Sequence, residues 1–214
     1  MDESTKTKLF YPELFSKYVK GDVLDIGAGG DPVTTTAHVF DKPQGNAEHI
    51  SDYFQKESFD TVFSSHCLEH VKEPTEVIKE WFALVKPGGH LFVIVPDEDL
   101  YEQGHFPSIF NDDHKATFTI AKSVSWSPKS INLIDIARDL NGVVVYFNQQ
   151  ANNYDLRKWT FKKHGLRKFK IARHALRVTW IRNFLRYARF IPIDQTSLRV
   201  PVLAQICMII KKDS

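Results

Sequence analysis

The stretch VLDIG at residues 23–27 runs straight into Ala28-Gly29-Gly30-Asp31-Pro32, and it constrains the fold more than any other part of the chain. A short apolar run with β-branched residues that ends in glycines reads as a buried strand followed by a tight turn. Glycine there lets the backbone take positive φ and come close to a ligand. A buried strand opening into such a turn is the first unit of an α/β sheet, and such sheets bind ligands at the carboxyl ends of their strands.

The rest of the sequence supplies matching elements. Residues 8–20 read as a short leading helix with Pro12 near its start, where proline is tolerated. After the strand at 22–27, AHVF (37–40) and AEHI (47–50) read as a second and a third strand, and FDTVFSS (59–65) as a fourth. The segment 73–85 is amphipathic, with Val77, Trp81 and Leu84 at helical spacing, and Lys86-Pro87-Gly88-Gly89 stops it. The unbroken apolar run at 90–96 suits a fifth strand covered on both faces. Residues 97–118 form a long polar loop, 127–140 a helix with Ser130 as N-cap and Asn141-Gly142 as its stop, and 143–147 and 203–210 a sixth and a seventh strand. The expected architecture is a single domain over residues 1–214. It is a Rossmann-like α/β fold with a seven-stranded, mostly parallel sheet and helices on both faces.

The turn itself selects among ligands. A dinucleotide site asks for G-x-G-x-x-G, and here Pro32 stands at the third glycine position. Asp25, two residues before Gly27, is an anion that would repel a pyrophosphate and favour a cationic ligand. S-adenosylmethionine, with its ammonium and sulfonium, has that character.

Three segments in order, VLDIGAGGDP, FDTVFSSHCLEHV and LVKPGGHLFVIVP, resemble those of the class I S-adenosylmethionine-dependent methyltransferases, in particular the small type 11 group, over residues 20–97. The resemblance implies the class I methyltransferase fold and S-adenosylmethionine as cofactor. It implies that Gly27, Ala28 and Gly29 line the methionine moiety, with Asp25 holding its amino end. Asp41 takes the position that binds the ribose hydroxyls, and Asp52 with Tyr53 the position beside the adenine. Ser65 and His66 pass close to the cofactor, and Leu68-Glu69-His70 serve packing and support. Two departures stand out: Asp31 replaces the third glycine of the family's loop, and the segment 30–36 is too short for a full first helix. Asp41 also reads as an ordinary turn residue and Asp52 as a helix cap, and those alternatives stay open.

HCLEH at 66–70 also matches the inverted zinc-peptidase pattern H-x-x-E-H. Short patterns match by accident, and the expected protein has no metal. The catalytic base is sought instead in the loop 97–118, which leaves the fifth strand at the active-site edge. Methyl transfer to a hydroxyl needs a proton acceptor, and histidine is the natural one. His105 and His114 are the candidates, with Asp97 as an orienting or basic carboxylate and His66 as a fourth possibility. The polar character of the loop suits a small-molecule acceptor such as a sugar or surface-glycan precursor. The expected activity is methyl transfer to one of its hydroxyls. Alternatives are a nucleic-acid methyltransferase and a non-catalytic cofactor-binding module.

Charge is uneven. Residues 154–190 hold twelve Lys and Arg against one acid, Asp155, which leaves sixteen basic and twenty-five acidic residues elsewhere out of 28 and 26. This segment has three readings: nucleic-acid binding, contact with an anionic membrane through Leu176, Trp180, Phe184 and Tyr187 with their flanking arginines, or ordinary packing with solvated cations. Packing carries the most weight and nucleic acid the least. Cys67 and Cys207 are expected as reduced core residues. The N-terminus lacks the apolar stretch of a signal peptide and no apolar run approaches a membrane span, so a cytoplasmic location is expected.

Overall fold

The computed structural model describes residues 3–159 and 192–214. Six strands form the main sheet: β1 (Val23–Ile26), β2 (His38–Phe40), β3 (Phe59–Ser65), β4 (Val85–Pro96), β7 (Gly142–Gln150) and β8 (Gln205–Lys212). They run in the order β2-β1-β3-β4-β8-β7. β1, β2, β3 and β4 are mutually parallel, and β8 lies antiparallel between β4 and β7. Reversal of the order at β1 puts the β1 turn at the point where open α/β sheets bind ligands.

Alternation along the strands divides the core. Leu24, Ile26, Val62, Leu91, Val93 and Met208 face one side, where α3 (Pro74–Ala83) buries Val77, Ile78 and Trp81. α4 (Leu133–Asp139) adds Leu133, Ile136 and Ala137 to that side. Val23, Phe63, Phe92, Ile94 and Ile209 face the other, under Leu14, Phe15 and Tyr18 of α2 (Pro12–Tyr18). Helices on both faces explain why β4 reads as an unbroken apolar run from Leu91 to Val95, all buried.

Four expectations change. The leading helix is two: α1 (Glu3–Phe10) ends before Tyr11, and α2 begins with Pro12 in its first turn, where the missing N–H costs nothing. The third strand at 47–50 does not form. The Asn46 side chain accepts from the Glu48 N–H at 3.0 Å, and the Trp81 indole N–H donates to the Ala47 carbonyl at 3.0 Å. These bonds close a 3-10 turn over Ala47–Asp52, so the sheet ends at β2 with six strands rather than seven. The helix at 127–140 is shortened to α4. Its first part, Ser130–Asn132, is β6, paired in parallel with β5 (Thr117–Thr119) in a separate two-stranded sheet. Ser130 is therefore no cap. Its hydroxyl donates to buried Glu98 at 2.6 Å. Finally, Lys86–Gly89 bulge within β4, where the register with β3 jumps from Phe59–Val85 to Thr61–His90.

Among the described residues no helix is long and apolar enough to cross a membrane. The membrane and nucleic-acid readings of the basic segment fall on residues that, beyond Trp159, lie outside the described ones.

Candidate active site

The β1 turn is held from three sides. Gly27 has φ +77° and donates its N–H to the Phe40 carbonyl at 2.8 Å. A Cβ on it would lie 2.5 Å from Cys67 Cβ, so only glycine lets the turn and the segment after β3 touch. Asp41, just past β2, accepts the Gly29 N–H on Oδ2 at 3.0 Å. Asp25, 1% exposed, accepts the Val33 N–H at 2.6 Å and pins the far end of the loop. Burial pushes the Asp25 carboxyl up to about 6, opposed by the Val33 N–H and by Lys8. Gly29 and Gly30 face open space: a Cβ on either would meet nothing within 4 Å among the described residues. The face of the turn at Gly29 and Gly30 is thus open, with the Asp41 carboxylate beside it and Asp25 buried beneath.

The neighbouring strand ends carry a histidine–carboxylate cluster. β3 ends at Ser65, whose buried hydroxyl has no hydrogen-bond partner among the described residues. His66 follows in the left-handed region at φ +54°, which turns its ring across the sheet edge onto the Gln205 side chain at 3.1 Å. Gln205 in turn binds Thr7 of α1 and Gln150 of β7. Leu68–His70 make one 3-10 turn, which points the Glu69 carboxylate inward, 1% exposed. Around Glu69 Oε1 stand His66 Nδ1 at 3.5 Å, His70 Nε2 at 3.9 Å and His114 Nε2 at 4.0 Å. These are ion-pair distances too long for good hydrogen bonds, and neither Glu69 oxygen has a hydrogen-bond partner among the described residues.

His114 is fixed from the loop side. Its Nδ1 lies 2.6 Å from Glu102 Oε1, and its ring stacks on Tyr101 at 5.4 Å. Glu102 and Tyr101 belong to a wide helical turn, Glu98–Glu102, capped by Asp97, whose Oδ1 accepts from the Asp99 and Leu100 N–H groups. A second buried carboxylate anchors that turn. Glu98, fully buried, accepts from Thr117, Ser125, Ser130 and Lys122 at 2.6–3.0 Å.

Electrostatics follows from this packing. Burial alone would lower the His66 imidazole, but Glu69 and Glu3 outweigh it and carry it up to about 9. Burial opposes ionisation of Glu69, yet His66, His114 and His70 hold it below the usual carboxylate range. Burial raises the Cys67 thiol to about 12, so it is an inert thiol rather than a nucleophile.

Of the residues that the sequence points to, His66 and His114 meet around Glu69, and Asp25, Gly27, Ala28, Gly29 and Asp41 meet at the turn. Asp97 stands apart: it is 4% exposed, its first oxygen caps the Glu98–Glu102 turn and its second accepts from Gln149 of β7 at 2.7 Å. His105 is half-buried and donates its backbone N–H to the Glu102 carbonyl. Asp52 is exposed at the end of its 3-10 turn, and Tyr53 packs edge-on against Phe40 at 5.0 Å. Glu102, which no sequence pattern singles out, is the partner that orients His114. The pair is twelve residues apart across an irregular loop, so spacing gives no signal of it.

The fold and the glycine-turn site together define a class I methyltransferase architecture. A family model described as a methyltransferase domain matches residues 34–93. A ubiquinone biosynthesis O-methyltransferase of Aliivibrio fischeri is 33% identical over 78 residues, covering 33% of this chain and 33% of that one. The chain thus spans about a third of the length of the curated relatives it matches. Among solved structures, a SAM-dependent methyltransferase from Archaeoglobus fulgidus superposes with TM-score 0.54 at 16% identity, covering 98% of this chain and 95% of that one. A Haemonchus contortus phosphoethanolamine N-methyltransferase 2, solved with S-adenosyl-L-methionine, gives TM-score 0.52 at 16% identity, over 97% of this chain and 52% of that one. Residues 34–93 thus resemble a methyltransferase domain, and the described residues share the fold of the class I S-adenosylmethionine-dependent methyltransferases. S-adenosylmethionine is the cofactor of that family.

Proposed function

We propose that the protein is an S-adenosylmethionine-dependent O-methyltransferase acting on a hydroxyl of a small, polar acceptor, a sugar or surface-glycan precursor. The observation that carries the reading is the juxtaposition at one sheet edge. The open face at Gly29 and Gly30 belongs to a turn that touches, through the Gly27–Cys67 contact, the segment that holds His66 and Glu69. Bound there, the cofactor supplies a methyl group already activated on sulfur.

The residues of the chain divide the remaining work. Gly29 and Gly30 leave room for the methionine and ribose. Each Asp41 oxygen takes one backbone N–H, from Lys42 and from Gly29, and keeps a lone pair for a ribose hydroxyl. Such charge-assisted bonds are stronger than neutral ones. Asp25 holds the loop closed and gives the turn its negative character. For the acceptor proton, His114 is the better-built base. Glu102 fixes its Nδ1 as a donor, so in the neutral ring Nε2 is the atom that can take a proton. His66, held protonated near neutral pH, acts as a fixed positive charge instead. Alignment of a hydroxyl with an activated methyl can supply roughly 7–11 kcal/mol of the barrier.

A phenolic acceptor is the second reading, favoured by the 78-residue similarity to ubiquinone biosynthesis O-methyltransferases. Incubation with methyl-labelled cofactor against panels of nucleotide sugars, glycan fragments and catechols separates the two. Label in the sugar panel supports the first reading. Label only in catechols replaces it with the second. Absence of cofactor binding by calorimetry removes both.

A further inference from the structure

We propose that Glu69, His70 and His114 form a binding site for a divalent ion of the first transition series, such as zinc. One ligand atom from each lies within 4.8 Å of the others, and none of the three belongs to the glycine turn. Both imidazoles are already oriented as metal ligands usually are. His70 Nδ1 lies 3.1 Å from Asp113, and His114 Nδ1 lies 2.6 Å from Glu102. A carboxylate can only accept, so each Nδ1 carries a proton, and in a neutral ring the lone pair available to a metal is then on Nε2, the atom that faces Glu69. Carboxylate–histidine pairs of this kind hold the outer side of metal-binding histidines.

The second observation is Glu69 itself. Its carboxylate is 1% exposed, and neither oxygen has a hydrogen-bond partner among the described residues. An ionised carboxylate without hydrogen bonds is costly in a protein interior. None of the three imidazoles around it comes close enough for a good hydrogen bond, the nearest being His66 Nδ1 at 3.5 Å. The charges facing the group are Glu3, Glu69, Glu102 and Asp113 on one side, and His66 with Lys115 on the other. Lys115 serves Asp113 and Lys6 serves Glu3 at 2.7 Å, whereas Glu69 and Glu102 pair with no lysine or arginine among the described residues. A cation among the three donors completes the balance.

Size and donor type agree. Bonds of about 2.0–2.2 Å to zinc at tetrahedral angles put ligand atoms roughly 3.4 Å apart. The Glu69–His70 and Glu69–His114 separations of 3.9 and 4.0 Å are wider by about half an ångström, within reach of small side-chain rotations. Two imidazoles and one carboxylate suit zinc, iron, cobalt or nickel better than magnesium or calcium, and three protein ligands leave a position open. This is not the peptidase arrangement. His66 at φ +54° precedes a single 3-10 turn, so His66 and His70 do not share a helix face, and Glu69 is a ligand rather than a base.

The site bears on the proposed methyl transfer, and that consequence rests on the reading above: an ion with an open position is placed to bind the acceptor hydroxyl and lower its pKa. His114 Nε2 cannot ligate an ion and serve as the base at once, so metal occupancy decides between the two roles.

The test uses the full chain, stripped with chelator and titrated separately with zinc and with cobalt(II). Calorimetry is expected to show one equivalent per chain, and cobalt to give the visible absorption of a low-coordinate nitrogen–oxygen site. His70→Ala and His114→Ala each should weaken zinc binding at least tenfold, while His49→Ala, a histidine elsewhere on the chain, leaves it unchanged. Half-exposed His70 tolerates substitution, so its variant remains informative if that at buried His114 fails to fold. No saturable binding, or binding that survives His70→Ala unchanged, overturns the site. A parallel titration with S-adenosylmethionine keeps the two proposals apart: cofactor binding without metal binding defeats only this one, and the reverse defeats only the methyl-transfer reading.

Discussion

Gly27→Ala is the perturbation that most directly tests how the glycine turn is joined to the histidine cluster. Two costs are separable at this position. The φ of +77° penalises any Cβ by about 1–2 kcal/mol, the ordinary cost of a left-handed residue. The new Cβ would also stand 2.5 Å from Cys67 Cβ and 2.7 Å from its Sγ, an overlap that belongs to overpacking, typically about 1–3 kcal/mol. The single variant should therefore lose about 2–5 kcal/mol. Replacing Cys67 by glycine removes both offending atoms and leaves its Cα at 3.8 Å, ordinary contact. In the double variant Gly27→Ala, Cys67→Gly only the dihedral cost should remain from the first change. Urea midpoints for the four members of the cycle then give a favourable coupling of about 1–3 kcal/mol, the steric part alone. S-adenosylmethionine affinity, measured on the same four proteins, should fall in Gly27→Ala and recover partly in the double variant. Additivity of the two changes within about 0.5 kcal/mol would refute the claim that close approach at Cys67 is what requires glycine.

Three other outcomes are expected. Asp25→Asn should stabilise the unligated protein at pH 8. Its folded pKa of about 6 lies above the ordinary 3.8, so stability is greatest below pH 4 and falls as pH rises to 6, by up to about 3 kcal/mol, and asparagine removes that fall. The same variant should bind S-adenosylmethionine at least tenfold more weakly by calorimetry; unchanged affinity would deny the carboxylate a part in cation binding. Glu98→Ala strips four donors of their acceptor and should cost about 3–5 kcal/mol in urea unfolding, with faster proteolysis within 97–130. Trp81→Phe keeps most of the buried volume but orphans the Ala47 carbonyl, so a loss of about 1–2 kcal/mol is expected, and a smaller one would mean the 47–52 turn does not depend on that bond.

The strands that face the core were legible because burial on both faces writes a continuous apolar run, as in Leu91–Val95, or a dense β-branched one, as in Phe59–Ser65. The failures lie where one polar side chain outweighs local propensity. Ala47–Ile50 has an apolar end and no helix-like spacing, so it reads as a strand, yet the Asn46 cap and the Trp81 indole both act on it from outside the pattern. Ser130 has the composition of an N-cap, but buried Glu98, thirty-two residues away, claims its hydroxyl and extends the chain into β6.

The same reason explains what could be read of the site. Gly27, Asp25 and Asp41 act within one turn and its two flanking strand ends, so sequence spacing carries their geometry. The cluster around Glu69 does not work that way. His66 reaches it only because a non-glycine residue at φ +54° reverses its direction, which spacing cannot announce. His114 reaches it only because Glu98, through Ser130 and Lys122, holds a wide turn that sets Glu102 beside the ring. A buried carboxylate of no catalytic use thus fixes a carboxylate–histidine pair of chemical use. A mutation at Glu98, which touches none of the three imidazoles, should therefore disturb the Glu69 cluster before it disturbs the glycine turn, since Asp41 and Asp25 hold the turn through bonds that do not pass through the loop.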